Sequence, residues 1–447
     1  MSQVVSPESQ STTRPHVAFV TMGCAKNEVD TEKMKSRLSD AGYHCDDDVS
    51  TADVIVVNTC SFIQDATEES LEMIFDMADL DCVASCNTKI VVAGCMPARY
   101  GSDLEEELTE ASSFVPCARE CDIVEVVDEC LGLDRSALPD AGSIVEPEPS
   151  ADDEVRTFAY VKISDGCDRW CSYCTIPLIR GRYHSFPYDS IRDDVSYHVR
   201  HGVKEIDLIA QDTGRWGTDF DDPSSLAELL CRLAEEFPET WFRVMYLQPE
   251  GVTDEVLNVM CEHDNICSYL DIPLQHVNER ILREMNRSGS RARFEELVNH
   301  VRDLVPDVTL RTTLIAGFPG ETEEMFEELL DFVSEGLFDY VGVFAYSREE
   351  GTRSFSYPDQ IEDEVKIERA QSIRDAADAA SSALVAQRIG STFDVLIEGI
   401  EEDGQVYGRA RCQAPEVDGV TYVSSGSPGD IVSVRIVDTL MYEMEGE

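Results

Sequence analysis

The chain has 447 residues, with 36 Lys and Arg against 89 Asp and Glu, giving a formal net charge of −53. That length suits about three domains of ~150 residues. The acid excess argues against a protein that grips nucleic acid mainly through phosphates, which needs clustered Lys and Arg.

The charge suits a strongly basic partner, since opposite fields speed encounter. It equally suits general surface acidity in a salty or acidic habitat. No run approaches the ~20 apolar residues of a membrane span, and the polar start lacks the apolar centre of a signal peptide. A soluble cytoplasmic protein is expected. Its sixteen cysteines then point to metal ligation or buried thiols rather than disulfides.

Residues 1–14 form a polar tail expected to be disordered. Strand-like runs follow at 16–22, 53–59 and 89–93, alternating with helical segments at 29–41, 68–78 and 99–108. Near-continuous apolar strands between helices imply an open parallel α/β sheet over 15–133. Cys24, Cys60 and Cys95 each come directly after a strand. The carboxyl ends of such a sheet share the edge where ligands bind, so three thiolates from three strand ends can converge on one site; the alternative is three ordinary core cysteines. Cys82/Cys86 and Cys117/Cys121 end no strand and read as incidental, as do Cys45, Cys130, Cys231, Cys261, Cys267 and Cys412. Residues 134–154, rich in Pro, Asp, Glu and Ser, read as an acidic linker.

Beyond the linker, six strand-like runs (158–163, 205–210, 243–247, 269–273, 308–316, 340–345) alternate with helices over 155–388. They predict a partial (β/α)6 barrel with its chemistry at the carboxyl-end face. After the first strand comes Gly-Cys-Asp-Arg-Trp-Cys-Ser-Tyr-Cys, placing Cys167, Cys171 and Cys174 in a C-x3-C-x2-C pattern. Three thiolates so spaced can hold a 4Fe–4S cluster and leave one iron open, unlike the four-thiolate ferredoxin run or a filled zinc site. Alone, the pattern also admits a zinc knuckle. A helical stretch at 365–389 leads into 389–447, where short runs at 393–397, 405–410 and 431–436 predict a small antiparallel β-barrel.

The triplet matches the signature of radical S-adenosylmethionine enzymes, and the whole chain resembles the methylthiotransferase family. The resemblance implies an N-terminal cluster domain, a radical S-adenosylmethionine barrel and a C-terminal TRAM domain. Gly-Cys-Ala-Lys-Asn-Glu-Val-Asp-Thr-Glu (23–32), Gly-Cys-Asp-Arg-Trp-Cys (166–171), Ile-Pro-Leu-Ile-Arg-Gly (176–181), Ile-Ala-Gln-Asp-Thr (209–213) and Ala-Pro-Glu-Val-Asp-Gly (414–419) look like the branch that modifies an aspartate of protein twelve of the small ribosomal subunit. Ala25 departs from that branch, which commonly has proline there. The tRNA-modifying branch usually reads Gly-Cys-Gln-Met-Asn at the first cysteine and Gly-Gln-Asn-Val where this chain has Ala-Gln-Asp-Thr.

An aspartate Cβ–H bond is too weakly acidic for base chemistry, so a carbon radical is needed. The resemblance implies that Cys167, Cys171 and Cys174 hold the cluster that cleaves S-adenosylmethionine to a 5′-deoxyadenosyl radical. Cys24, Cys60 and Cys95 then hold a second 4Fe–4S cluster carrying the sulfur, which is methylated by another S-adenosylmethionine and captured by the substrate radical. A low-potential electron donor is implied. Tyr173 resembles a position near the adenine, or is a plain hydrophobic loop residue. Gln211 and Asp212 end the second barrel strand and face the cofactor's methionine or ribose in this reading. Residues 313–321 resemble an adenine-side element, with Thr313 replacing its first glycine. Gly317 and Gly320 there allow close backbone approach, or form an ordinary turn. Arg311 meets a carboxylate of cofactor or substrate, or makes a structural salt bridge. Gln275 and His276 end the fourth strand, and a structural role suits His276 better than a catalytic one.

Residues 392–447 carry twelve Asp and Glu against three Arg and no Lys. The terminal barrel therefore reads as a docking module for a basic ribosomal protein, with nucleic-acid contact weak or indirect. Its removal should leave S-adenosylmethionine cleavage intact. The rivals are a tRNA methylthiotransferase of identical chemistry and a non-catalytic iron–sulfur electron carrier.

Overall fold

β-Branched runs build the first sheet of the structure, a computed structural model that describes residues 14–85, 87–133 and 155–447. Cys86, the linker 134–154 and all but Arg14 of the expected tail lie outside the described residues. The chain divides into two compact units, Met1–Ser150 and Ala151–Glu447.

In the first unit, β1 (His16–Thr21), β2 (His44–Asp46), β3 (Val54–Thr59), β4 (Lys89–Gly94) and β5 (Ser113–Pro116) form a wholly parallel sheet in the order β2-β1-β3-β4-β5. Alternate residues of β3 and β4 enter different cores. Val54, Val56, Val91 and Ala93 pack with Met34 and Leu38 of the helix Ala25–Asp40, while Ile55, Val57, Ile90 and Val92 pack with Ile74 of the helix Gln64–Ala78. Burial on both faces explains why these strands read as unbroken apolar runs. The order reverses between β1 and β3, the position where doubly wound sheets bind ligands.

The sequence reading differs here in two respects. The helix expected over 99–108 is two short ones, Cys95–Tyr100 and Ser102–Glu107, broken at Gly101 with φ +53°. The strands β2 and β5 were not foreseen, because three or four residues carry too little alternation.

In the second unit, β6 (Phe158–Lys162) starts a sheet, and the loop beyond it carries the two-residue strands β7 (Ser164–Asp165) and β8 (His184–Ser185). The sheet continues through β9 (Glu205–Ile209), β10 (Trp241–Val244), β11 (Ile266–Asp271), β12 (Thr309–Ala316) and β13 (Tyr340–Ala345), all parallel and in sequential order. Right-handed crossovers in one constant direction put the helices on one face. Val161, Leu208, Phe242, Leu270 and Leu310 pack there. The alternate residues Phe158, Glu205, Arg243, Tyr269 and Arg311 fall on the other face. The sheet does not close, as expected of a six-stranded partial barrel.

A helix, Asp363–Ala386, precedes the terminal strands β14 (Thr392–Ile400), β15 (Val406–Ala410), β16 (Thr421–Val423), β17 (Ile431–Leu440) and β18 (Glu443–Gly446). They close into a barrel in which β16 and β18 pair in parallel and the other pairs are antiparallel.

This barrel interlocks with the amino-end half of the parallel sheet. Arg409 reaches Glu205 at 2.8 Å, and Arg243 donates to the Arg411 carbonyl at 2.9 Å. The 414–419 stretch enters the same interior through Asp418, which accepts from Tyr269 and pairs with Arg311 at 3.4 Å, while the exposed Glu416 accepts from Tyr160 at the rim. The terminal barrel is therefore not detachable from the sheet, because its side chains neutralise charges buried inside it. Among the described residues, no helix is long and apolar enough to cross a membrane.

Candidate metal centres

In the first unit each strand end hands its cysteine to a turn. Cys24 is the N-cap of the helix Ala25–Asp40, and Cys95 opens the helix Cys95–Tyr100. A thiolate at a helix N-terminus is stabilised by the orphan N–H groups there. Gly23 (φ +95°) leaves room for Cys60: a Cβ at Gly23 would sit 2.9 Å from Cys60 Sγ. Asn27 ties the three ends together. Its Nδ2 donates to the carbonyls of Met22 (2.8 Å) and Thr59 (3.0 Å), and Cys95 Sγ lies 3.6 Å from its Oδ1. Ser70 grips the Cys60 backbone, its Oγ 3.1 Å from the amide nitrogen and 2.9 Å from the carbonyl oxygen. The three strand ends that carry these cysteines are neighbours at one edge of the sheet.

In the second unit the loop after β6 carries the other triplet. Lys162 (2.7 Å) and Arg180 (3.3 Å) flank Asp165. Burial alone would raise the Asp165 pKa, but the two cations and the Gly166 amide together hold it well below the usual carboxylate range. Gly166 (φ +72°) cannot carry a Cβ, which would meet the Arg182 carbonyl oxygen at 2.2 Å. The segment after the helix Glu279–Glu284 braces the triplet from a distance. Asn286 donates to the Arg169 and Trp170 carbonyls at 2.9 and 3.1 Å, Ser172 N–H donates to Met285 O at 3.0 Å, and Arg287 Nη1 lies 4.0 Å from Cys171 Sγ. Burial pushes the thiols of Cys167 and Cys174 up, with neighbouring thiols adding to the shift.

The other singled-out residues divide. Tyr173 packs against Ile281, Met285, Phe318 and Tyr346, forming an apolar wall behind the triplet. Gln211 and Gln248, at the ends of β9 and β10, each have a buried Oε1 without a hydrogen-bond partner. Buried acceptors are rarely left so, and two of them at the carboxyl ends fit a bound polar cofactor. Asp212 is fully buried and gripped by Arg169 at 2.6 Å. Arg311 lies between Asp271 (3.2 Å) and Asp418 (3.4 Å), the structural salt bridge. Gly317 is covered by Lys366, 2.5 Å from a Cβ placed there, and its N–H donates to Glu321; Gly320 is open, with only Arg280 within 4 Å. His276 accepts at Nδ1 from the Val277 and Asn278 amides and faces Glu321 through Nε2, a structural role.

Sequence reasoning missed Asn27, Gln248, Asn286 and Arg287. Asn27 was within reach, three residues after Cys24 and inside the 23–32 wording. Arg287 was not, since it stands 116 positions from Cys171 with no local pattern. Among the described residues, four of the seven non-glycine residues with positive φ, Trp170, Tyr246, Gln275 and Asn286, follow or lie near these strand ends. Such backbone strain gathers at functional sites.

Both triplets fit a cluster held by three thiolates. Three family models match the chain: Uncharacterized protein family UPF0004 over residues 16–116, the Radical SAM superfamily over 161–333 and the TRAM domain over 389–447. The ribosomal protein uS12 methylthiotransferase RimO of Trichlorobacter lovleyi is 39% identical, covering 96% of this chain and 97% of that protein. Its counterpart in Geotalea uraniireducens is 40% identical (96% and 98%), and that of Clostridioides difficile 38% (96% and 98%). The radical S-adenosylmethionine methyltransferase TsrM from Kitasatospora setae, solved with cobalamin and a [4Fe-4S] cluster, shares the fold at TM-score 0.55 and 16% identity, over 76% of this chain and 77% of its own. Its likeness concerns the fold alone. With identity of that order over almost the whole chain and both cysteine triads placed at strand ends, the chain belongs to the family of ribosomal protein uS12 methylthiotransferases.

Proposed function

We propose that this chain is a radical S-adenosylmethionine methylthiotransferase that places a methylthio group on the β-carbon of an aspartate in ribosomal protein uS12. The observation that carries this reading is the pair of independent three-cysteine sets, each at the carboxyl end of its own parallel sheet. When bound, two 4Fe–4S clusters and S-adenosylmethionine supply a carbon-centred radical at one site and a transferable sulfur at the other.

The chain's own residues hold and orient. Cys167, Cys171 and Cys174 ligate one cluster and Cys24, Cys60 and Cys95 the other. Gln211 and Gln248 offer buried carbonyl oxygens to the hydroxyl and ammonium donors of S-adenosylmethionine. Asp212 fixes Arg169, and through it the cysteine loop, while Tyr173 keeps water from the loop's inner side. Gly320 leaves space for the cofactor to approach the backbone. Arg311 and Gly317 support that site through the interior salt bridge and the Lys366 contact.

The acidic surface favours a basic protein over an RNA, and nucleic-acid contact is weak or indirect. A low-potential electron donor feeds the clusters, and the cytoplasm is the compartment this chemistry suits. Anaerobic incubation of the reconstituted chain with free uS12, with small subunits and with unmodified tRNA, followed by mass spectrometry, tests the reading. One CH2S unit gained on a uS12 aspartate is expected. The same gain on an adenosine of tRNA, with uS12 unchanged, would overturn it.

A further inference from the structure

The far end of the first sheet holds a second group of metal-ligating side chains. His16 opens β1, at the end opposite the cysteines, and is the direct register partner of His44 on β2. Asp46 follows His44 by two residues and shares its face. Nitrogen and oxygen ligand atoms of all three lie within 4.8 Å of one another. One carboxylate faces two imidazoles: Asp46 Oδ1 is 2.6 Å from His16 Nε2, and Oδ2 is 3.0 Å from His44 Nε2.

The surroundings resemble those of a ligating set. His16 Nδ1 meets Thr51 Oγ1 at 3.1 Å, the kind of partner that orients a histidine whose Nε2 binds a metal. In the tautomer that donates to Thr51, the Nε2 lone pair faces a carboxylate oxygen, an arrangement that a shared dication satisfies. The Asp48 amide holds Asp46 Oδ1 at 2.9 Å. Cys45 alternates to the opposite face and packs against the core, and burial pushes its thiol up to about 11. It is not a fourth ligand.

We propose that His16, His44 and Asp46 bind one divalent transition-metal ion of the zinc class, independently of either cluster. Two imidazoles and one carboxylate favour such ions over magnesium or calcium and leave a position for water. The ion would clamp β2, an edge strand of only three residues, onto β1, and short edge strands are where a sheet is most easily opened.

The test uses the full chain with both clusters reconstituted anaerobically, then desalted and exposed to micromolar zinc or cobalt(II). His44→Gln and Asp46→Asn are the comparison variants. The His44 side chain is 59% exposed, so its replacement leaves the fold intact, and unchanged iron content confirms this. Wild type should retain one more zinc per chain than either variant, with at least tenfold tighter binding, and zinc should raise the melting midpoint of wild type only. The extra cobalt(II) should show ligand-field bands without sulfur-to-cobalt charge transfer. Equal zinc content and equal melting shifts in wild type and His44→Gln would overturn the proposal, as would cobalt spectra showing thiolate ligation only. The three residues would then be a hydrogen-bonded triad and nothing more.

Discussion

Arg409 of the terminal barrel and Glu205 of the parallel sheet, 204 positions apart in sequence, meet at 2.8 Å with both side chains buried. Around them lie Arg243, 2.7 Å from Glu205, and Glu398, 2.7 Å from Arg409. A buried pair is strongly destabilised when one partner is removed, because the other charge is left uncompensated. Arg409→Leu should lower unfolding stability by roughly 3–5 kcal/mol, measured by denaturant titration. Truncation before residue 392 should abolish cooperative unfolding of the second unit. A truncated chain that melts cooperatively and cleaves S-adenosylmethionine would return the terminal barrel to the status of a detachable module.

Asp207 completes this network as its odd member. Three carboxylates, Glu205, Asp207 and Glu398, surround two guanidiniums. Asp207 lies 3.2 Å from Arg243 Nε, yet neither of its oxygens makes a hydrogen bond. Burial first, and then the Glu205 charge, push the Asp207 carboxyl well above its ordinary range. Despite the short approach to Arg243, the folded chain therefore holds this proton to higher pH than the unfolded chain does. The unfolded chain loses it above about pH 3.9, so Asp207 costs stability increasingly as pH rises from there toward its folded pKa. Asp207→Asn should gain on wild type between pH 5 and pH 8 in denaturant titrations, whereas Glu205→Gln should be destabilising throughout. A gap between Asp207→Asn and wild type that does not change with pH would mean that Asp207 is ionised.

The two triplets should separate by assay. Wild type should hold about eight irons, and each triple Cys→Ala variant about half. With Cys24, Cys60 and Cys95 replaced, reductive formation of 5′-deoxyadenosine should persist without methylthio product. With Cys167, Cys171 and Cys174 replaced, deoxyadenosine should vanish. Loss of cleavage in both variants, at intact folding, would show that the roles are not divided.

Asn27 should matter to one cluster only. Asn27→Ala removes the amide that joins the Met22, Thr59 and Cys95 segments, and such supporting contacts are worth about 10–100-fold in metal affinity. The variant should lose iron from the first-unit cluster on challenge with a chelator, while 5′-deoxyadenosine formation is retained. Wild-type iron retention would reduce Asn27 to a packing residue.

Binding of uS12 should weaken as salt rises, chiefly through slower association, since long-range fields are screened within about 8–10 Å. Replacing the exposed Glu401, Glu402 and Glu445 by Lys should slow association further and flatten the salt dependence. Unchanged rates would place the uS12 contact elsewhere.

The cysteine triads were legible because each follows an apolar strand, and strand ends in a parallel sheet share an edge. Periodicity also located the six barrel strands to within a few residues, as with 340–345 and the observed Tyr340–Ala345. What escaped were contacts between distant segments. Arg311 read as a cofactor ligand or a salt bridge with nothing to decide, because its partner Asp418 lies in another strand system. The Ala-Pro-Glu-Val-Asp-Gly stretch read as family wording, and its work, entering the sheet interior through Asp418, needed three dimensions.

That insertion bears on how such a chain can change over time. A terminal barrel that contributes Arg409 and Asp418 to its neighbour's interior cannot be exchanged between relatives as a cassette. A graft from a paralogue would have to bring matching partners for Glu205, Tyr269 and Arg311, or leave charge stranded in a dry interior. The outward strands of the terminal barrel can drift, while its inward loops are bound to the history of the sheet they enter.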